Sequence, residues 1–466
     1  KMGQIISCRE NLLPDEWIKA LERLQDRVPA KSGNEAMELA YAAMGSRKNF
    51  EDVFADFDSV PLAAASLGQV HLAKLKGSNE SVAVKIQRPK LRQIYDQDLV
   101  MMKKIAGIMD KFGGKTSRVG GVEQSWFQIF SDAELILYRE IDYRDEAENG
   151  IRFMQDFGIG KGGQSVEPTA KSWDNQTLPS AAPWLRAPYV YGNLSSEQVL
   201  VMEYVPSIKI TSIEKLAAAG VTTEDKEYLA DCLARSYLRQ FCANQFFSTD
   251  PHPGNLGVEV FEDERQPRLV FYDFGQAASL TQDQAEGILD VVEAIVDMDA
   301  ERSVEAFQLM GVLKDNADLV KVRNKVQNNF ETGKIKVKRK KLKKSGYKFK
   351  DDTNTEVKTD ANTGTTAVAT TTTTTVNATD SEIMSFFTLP AEYAFVARAI
   401  SQMDGVGKGL DPDFDFISSA APSIVEIKGA KSYLKDEWGK IVSKVQGQVL
   451  DFETKYGFFK SSTKRS

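Results

Sequence analysis

The stretch from Phe246 to Gln276, "FFSTDPHPGNLGVEVFEDERQPRLVFYDFGQ", constrains this chain more than any other. Two polar signatures, "TDPHPGN" and "YDFGQ", flank a run that alternates like a β-hairpin, so Asp250, Asn255 and Asp273 gather around one hairpin. Phosphoryl transfer from a nucleotide needs such a set. One carboxylate orients or deprotonates the acceptor, while an amide and a second carboxylate hold Mg2+ against the phosphates. Taken singly the pieces are ordinary, because Asp-Pro and Pro-Gly are common turn formers.

Asp250 and Asn255 are five positions apart, which is the Asp-to-Asn gap of the protein-kinase catalytic loop, and "DFG" is the kinase metal-binding triplet. A lone triplet is weak, as the chain itself demonstrates: Asp156-Phe157-Gly158 is a second copy. That copy ends the helical-looking "DEAENGIRFMQ" and runs into a glycine-rich stretch. The copy at Asp273 follows the β-type run "RLVFY" and lies downstream of a candidate catalytic loop, so metal binding is expected there and not at Asp156.

Length and composition set outer bounds. A chain of 466 residues suffices for two or three domains or one large two-lobed enzyme. A hydrophobic content of 42% and a charged content of 27% match a globular protein, and a net charge of −7 argues against general nucleic-acid binding. Cys8, Cys232 and Cys242 form no Cys-x-x-Cys pair and suit a reducing compartment. With only His71 and His252, a histidine-rich zinc site is not expected. No apolar run is long enough to predict a membrane-spanning helix. The opening "KMGQIIS" lacks an initiator methionine and reads as a chain trimmed to a domain.

Periodicity divides the chain. Residues 1–57 are helical in pattern, with Leu13, Trp17, Leu21 and Leu24 at three- and four-residue steps. "SLGQVHLAKLKGSNESVAVKIQRP" reads as two strands joined by a Gly-Ser-Asn turn, 91–156 returns to helix, 158–187 reads as a loop, and 189–205 supplies two more strands. Helix resumes over 212–246. Residues 334–350 are strongly basic and run into an acidic, Thr-rich segment that cannot bury a core, so a solvated, disordered insert is expected. An apolar-periodic helix follows at 386–407 and an amphipathic helical tail at 423–450. The expected fold is α+β and bilobal, with segments 1–57, 58–205 (small lobe with inserted helices), 206–330 (large lobe), 331–382 (insert) and 383–466 (helices completing the large lobe).

The remaining parts of a phosphotransferase occur in order. Lys85 ends "VAVK", where a strand lysine can reach the α- and β-phosphates. Acids able to fix it follow as Glu140, Asp142 and Glu146, the last two on one helical face. Where a kinase has a Gly-rich loop, this chain has Ala63, Ala64 and Ala65, which approach phosphate less closely than glycine does.

With "KMGQ", "LLPDEWIKALERLQDRVPA", "AAAS", "VAVKIQRP", "EID", "MEYV", "TDPHPGN" and "YDFG" in this order, the chain resembles the UbiB/ADCK family of atypical protein-kinase-like proteins, which is tied to coenzyme Q and other prenylquinones. The resemblance covers about 1–330 and, less specifically, 386–416. It implies that ATP and Mg2+ are bound: Lys85 on the α/β-phosphates with Glu146 as its partner, Asp250 in the base position, and Asn255 and Asp273 on the metal. Ala63 to Ser66, Val70 and the backbone from Glu203 to Val205 would line the nucleotide site, with Met202 as gatekeeper and His252 orienting the catalytic loop. It also implies a lid in which Lys1 and Gln4 of the first helix lie across the site and Lys1 meets Glu140 and Asp142, excluding protein substrates. Thr249 and the hinge sequel "VPSIKITS", which lacks the usual glycine, depart from the family pattern.

The function so implied is an atypical kinase or ATPase acting on a small-molecule or lipid acceptor, with peripheral membrane contact, no nucleic acid, and a eukaryotic organelle as its place, a plastid before a mitochondrion. A nucleotide-gated lipid-binding or scaffold pseudokinase is the alternative, and a protein Ser/Thr kinase is disfavoured by the alanine loop and the lid.

Overall fold

A computed structural model describes residues 30–331, apart from 65–66, 264 and positions within 113–140, together with 386–388 and 391–434 apart from 430. The expected insert and the expected first helix lie outside the described residues.

The small lobe is an antiparallel sheet in the order β1 (Phe54–Phe57), β3 (Gly68–Leu75), β4 (Ser81–Gln87), β8 (Val199–Glu203), with β2 (Ala63–Ala64) added on β3. Strand alternation sends side chains to opposite faces. Val82, Val84 and Ile86 therefore pack on one side with Leu39, Ala40 and Phe50 of α1 (Asn34–Ala43) and α2 (Arg47–Val53). Ala83, Leu200 and Met202 face the other way, against Tyr143 and Ala147 of α4 (Tyr143–Phe157). Both faces being covered, β4 is an almost wholly buried strand.

Residues 54–57, placed by sequence in the preceding helical segment, are thus an edge strand of the small-lobe sheet, and α1 and α2 belong to its core. Between β4 and α4 come α3 (Leu91–Phe112) and a short hairpin, β5 (Ser117–Val119) with β6 (Val122–Gln124), where continuous helix was expected. Of the two strands expected in 189–205 only β8 forms. Val190 contributes a single bridge to Met202.

The large lobe is built on α6 (Thr223–Cys242), whose start carries the capping box Thr222–Asp225 and whose Leu229, Leu233, Tyr237, Leu238 and Phe241 are buried. Against it pack α7 (Gln282–Val296), α10 (Ala391–Leu410) and α11 (Phe416–Ala420). A second sheet runs β7 (Leu185–Arg186), β12 (Arg268–Phe271), β11 (Leu256–Glu259), β9 (Ile208–Lys209), so the expected loop 158–187 ends in a strand parallel to β12. The bilobal kinase-like fold is α+β as expected. No helix among the described residues is long and apolar enough to cross a membrane.

Candidate active site

The hairpin expected from sequence is β11–β12, in register from Leu256 opposite Phe271 to Glu259 opposite Arg268. A second ribbon, β10 (Phe246–Ser248) with β13 (Ala277–Ser279), brackets it, and the Thr249 N–H donates to the Gln276 carbonyl. Asp250 and Asn255 lie in the passage from β10 to β11, and Asp273 in the return from β12 to β13. Two nested antiparallel pairs therefore bring the three side chains to one end of the hairpin.

The catalytic loop holds itself in place. Asn255 Nδ2 donates to the Asp250 carbonyl at 3.2 Å, the Asn255 N–H donates to the His252 carbonyl, and His252 Nδ1 accepts the Gly254 N–H at 3.0 Å. Pro251 and Pro253 add rigid φ angles. These bonds leave the Asn255 amide oxygen available as a ligand and direct His252 into its own loop.

Lys85 lies opposite Val70 and Leu200 in the sheet, on the face turned to α4. Its ammonium donates to Glu146 Oε1 at 2.7 Å, Glu146 Oε2 at 2.8 Å and Asp273 Oδ2 at 3.1 Å, and sits 5.2 Å from the centre of the Tyr143 ring. Burial opposes the charge, but the carboxylates of Asp273 and Glu146 outweigh it and hold the Lys85 pKa well above its ordinary value. Asp273 itself keeps 35% of its side chain exposed, with the Gly275 N–H on its other oxygen at 3.0 Å.

Helix α4 is keyed to the "DFG" turn. Asn149 Nδ2 donates to the Phe274 carbonyl at 2.9 Å, and the Phe274 ring is 4.8 Å from that of Phe153. A Cβ on Gly150 would come within 3.2 Å of the Phe274 ring and 3.1 Å of Val190, so glycine permits the close approach. The second triplet is structural: Phe157 is core, and Gly158 closes α4 in the left-handed conformation (φ +64°), where a Cβ would stand 2.5 Å from the Val166 carbonyl oxygen.

At the hinge, Met202 is buried beside Ala83. The Glu203 carboxylate is taken by Arg186 Nη2 at 2.5 Å and by the Tyr189 N–H at 3.2 Å, and the Glu203 N–H donates to the Tyr189 carbonyl at 2.7 Å. Ala63 and Ala64 are exposed and pair with Val70 and Gln69. Ala65, Ser66, Lys1, Gln4 and Glu140 lie outside the described residues. Asp142 caps α4 through the Arg144 N–H and meets the Arg144 guanidinium, whose hydrogen bonds hold the carboxyl below its usual pKa.

Asn255 and Asp273 fit a nucleotide-borne Mg2+, which typically takes only one or two protein ligands and completes its shell with phosphate and water. Two further residues reach Asp250 without a motif to mark them. Arg398 Nη2 donates to Asp250 Oδ1 at 3.1 Å and Gln402 Nε2 to the same oxygen at 3.4 Å. Their sequence signal is slight: a polar pair at i, i+4 between the core residues Val396, Ala399 and Met403 of α10.

Residues 23–307 match the ABC1 atypical kinase-like domain. The chain is 34% identical to the chloroplastic Protein ACTIVITY OF BC1 COMPLEX KINASE 8 of Arabidopsis thaliana over 92% of its own length and 52% of that relative. It is 30% identical to a probable protein kinase UbiB of Marinobacter nauticus over 61% of its length and 46% of the relative. It spans about half the length of these curated relatives. Among solved structures, the erythromycin complex of Rv3197 from Mycobacterium tuberculosis aligns over 92% of both chains at 20% identity, with a TM-score of 0.54, a likeness of fold.

Proposed function

The chain belongs to the ABC1 atypical kinase-like family, which includes UbiB, and on that footing we propose that it is a Mg-ATP-dependent phosphotransferase or ATPase supporting isoprenoid-quinone metabolism at a membrane of a plastid. The observation that carries this reading is the meeting of Lys85, Glu146 and Asp273 at the mouth of the hairpin that also presents Asp250 and Asn255. Bound Mg-ATP supplies an activated phosphoryl group with part of its charge neutralised. Lys85 holds the α- and β-phosphates, and Glu146 keeps the lysine from straying. Asn255 and Asp273 hold the metal. Asp250 orients the acceptor oxygen and takes its proton. Backbone from Glu203 to Val205 receives the adenine, under Val70 and the alanine strand.

The plastid assignment follows the chloroplastic relative. The acceptor proposed is a small phenolic or lipid molecule, as the family resemblance implies; Lys1, Gln4 and Glu140 of the lid it also implies lie outside the described residues, and Asp142 is engaged by Arg144. Phosphate release from Mg-ATP, measured with and without quinone-precursor-like phenols and anionic liposomes, tests the proposal. Turnover should fall at least about a hundredfold in Asp273→Asn. Turnover undiminished by that substitution would sink it.

A further inference from the structure

Asp250 carries a negative charge at the place where a terminal phosphoryl group, itself anionic, must arrive. Mg2+ held by Asn255 and Asp273 would neutralise only part of that charge, so a second cation beside Asp250 favours transfer there. The catalytic loop, Thr249 to Asn255, contains no lysine or arginine, and His252 Nδ1 is occupied in accepting the Gly254 N–H. Lys85 is committed to two carboxylates and only 12% of its side chain is exposed. The cation that does touch Asp250 is Arg398, from a helix 148 positions further along the chain.

The placement of Arg398 suits a working group more than a structural one. Its side chain is 22% exposed and that of Asp250 28%, so the pair is accessible to a solvent-borne ligand. Among the described residues its one ion pair is to Asp250, through Nη2, and a guanidinium has five N–H donors arranged in a planar fork that matches phosphate oxygens. A part-exposed pair of this kind contributes little to stability, which leaves the guanidinium free to be shared with a ligand. The backbone beneath it is fixed by the burial of Val396, Ala399 and Met403 against α6 and by Gln402, one turn on, which donates to the same Asp250 oxygen.

We propose that Arg398 is a catalytic residue of this site, binding the non-bridging oxygens of the terminal phosphoryl group while it remains beside Asp250. The inference rests on the phosphotransferase reading above. In the transfer, the bond from the terminal phosphorus to the bridging oxygen breaks and its electron pair leaves on the nucleoside diphosphate. A new P–O bond forms to the acceptor oxygen, of water or of a hydroxyl group, and the acceptor proton passes to Asp250. Arg398 takes up none of these atoms. It lowers the barrier by donating to oxygens whose charge is in motion. Residues 23–307, which match the family domain, do not include Arg398, so this part of the site reaches the cleft from outside that region.

The test compares Arg398→Gln, Arg398→Lys and Lys85→Met with the unaltered chain, in calorimetric titrations with Mg-ADP and with a Mg-bound non-hydrolysable ATP analogue. Loss of charge-assisted hydrogen bonds to the terminal phosphate weakens the analogue about tenfold or more in Arg398→Gln, while Mg-ADP affinity stays within about twofold and certifies the fold. Lys85→Met weakens both ligands. Where turnover is measurable it falls about a hundredfold in Arg398→Gln and recovers in part in Arg398→Lys. Equal loss of both nucleotides, or unchanged affinity for the analogue, overturns the assignment of Arg398 alone. An unaltered chain that binds neither nucleotide overturns the phosphotransferase reading and this assignment with it.

Discussion

Asp273 Oδ2 accepts a hydrogen bond from Lys85 Nζ at 3.1 Å, across 188 positions of sequence, and so ties the return from the large-lobe hairpin to the central strand of the small lobe. The tie depends on α4, because Glu146 shares the same ammonium at 2.7 Å. Removing the lysine leaves the buried carboxylate of Glu146 without its cation and beside that of Asp273, whereas removing the charge of Glu146 leaves the lysine a partner. Lys85→Ala is therefore expected to lose about 3 kcal/mol and Glu146→Gln no more than about half of that. Thermal melts of the two variants check the order. Both lose turnover by about a hundredfold or more, because each unseats the phosphate-binding lysine.

The hinge contains a second buried pair. The Arg186 side chain is 3% exposed and its Nη2 reaches Glu203 Oε1 at 2.5 Å, with Nη1 on the Ala187 carbonyl at 3.1 Å. Glu203→Ala strands this guanidinium and should cost about 3 kcal/mol. Arg186→Met combined with Glu203→Gln should cost clearly less than the sum of the single changes, because no unpaired charge remains. A double-mutant cycle by thermal unfolding shows whether the two residues are coupled. A cycle that closes with no coupling would mean that Glu203 is held by the Tyr189 N–H alone.

The parts of the site that were legible in the sequence are those where chemistry is written locally. Asp250, Asn255 and Asp273 stand at fixed offsets from strands whose alternation is plain, and Lys85 ends a β-branched run. Glu146 could be singled out only through the family resemblance, since Glu140 and Asp142 offered the same charge nearby. Arg398 and Gln402 were invisible because their meaning is wholly tertiary. They come to Asp250 after a low-complexity segment, with no motif around them. At the small-lobe edge, Phe54 to Phe57 make a four-residue strand exposed at its middle two positions, too short for alternation to separate it from the helix before it. Tyr189 and Val190 have strand-forming side chains but run into the 3-10 turn at Gly192, which limits them to a single bridge.

His71 gives the small lobe a pH dependence. Its ring is buried, lies 4.7 Å from Phe57 in a stacked arrangement, and bonds through Nε2 to Gln69 and through Nδ1 to the Asp58 carbonyl. Burial pushes its pKa below the usual 6.5, against the opposing pull of Asp58. A histidine with a depressed folded-state pKa contributes stability that is present above the unfolded-state value and lost as pH falls through the folded-state value. The unaltered chain should therefore lose stability progressively as pH drops below about 6.5, and His71→Gln should flatten that part of the profile. Melting temperatures measured from pH 7.5 to pH 5 in both proteins decide the point, and parallel curves would remove His71 from the account.

Gly150 offers a probe of the contact between α4 and the metal-binding turn that leaves every charged group in place. A valine there puts methyl groups where the Phe274 ring and the Val190 side chain already stand, since even a Cβ meets them at 3.2 and 3.1 Å. The helix cannot yield without moving Glu146, one turn earlier on the same element, away from Lys85, nor without lengthening the bond from Asn149 to the Phe274 carbonyl. Overpacking of this kind costs about 1–3 kcal/mol. The expected outcome for Gly150→Val is a protein with a lower melting temperature, at least tenfold weaker turnover and a weakened response to Mg2+. Gly150→Ala should sit close to the unaltered chain, because the contact must give by only a few tenths of an ångström and alanine gains about 1 kcal/mol of helix propensity. A valine variant with full turnover would show that the position of α4 does not govern the lysine, and that Asp273 suffices to hold it.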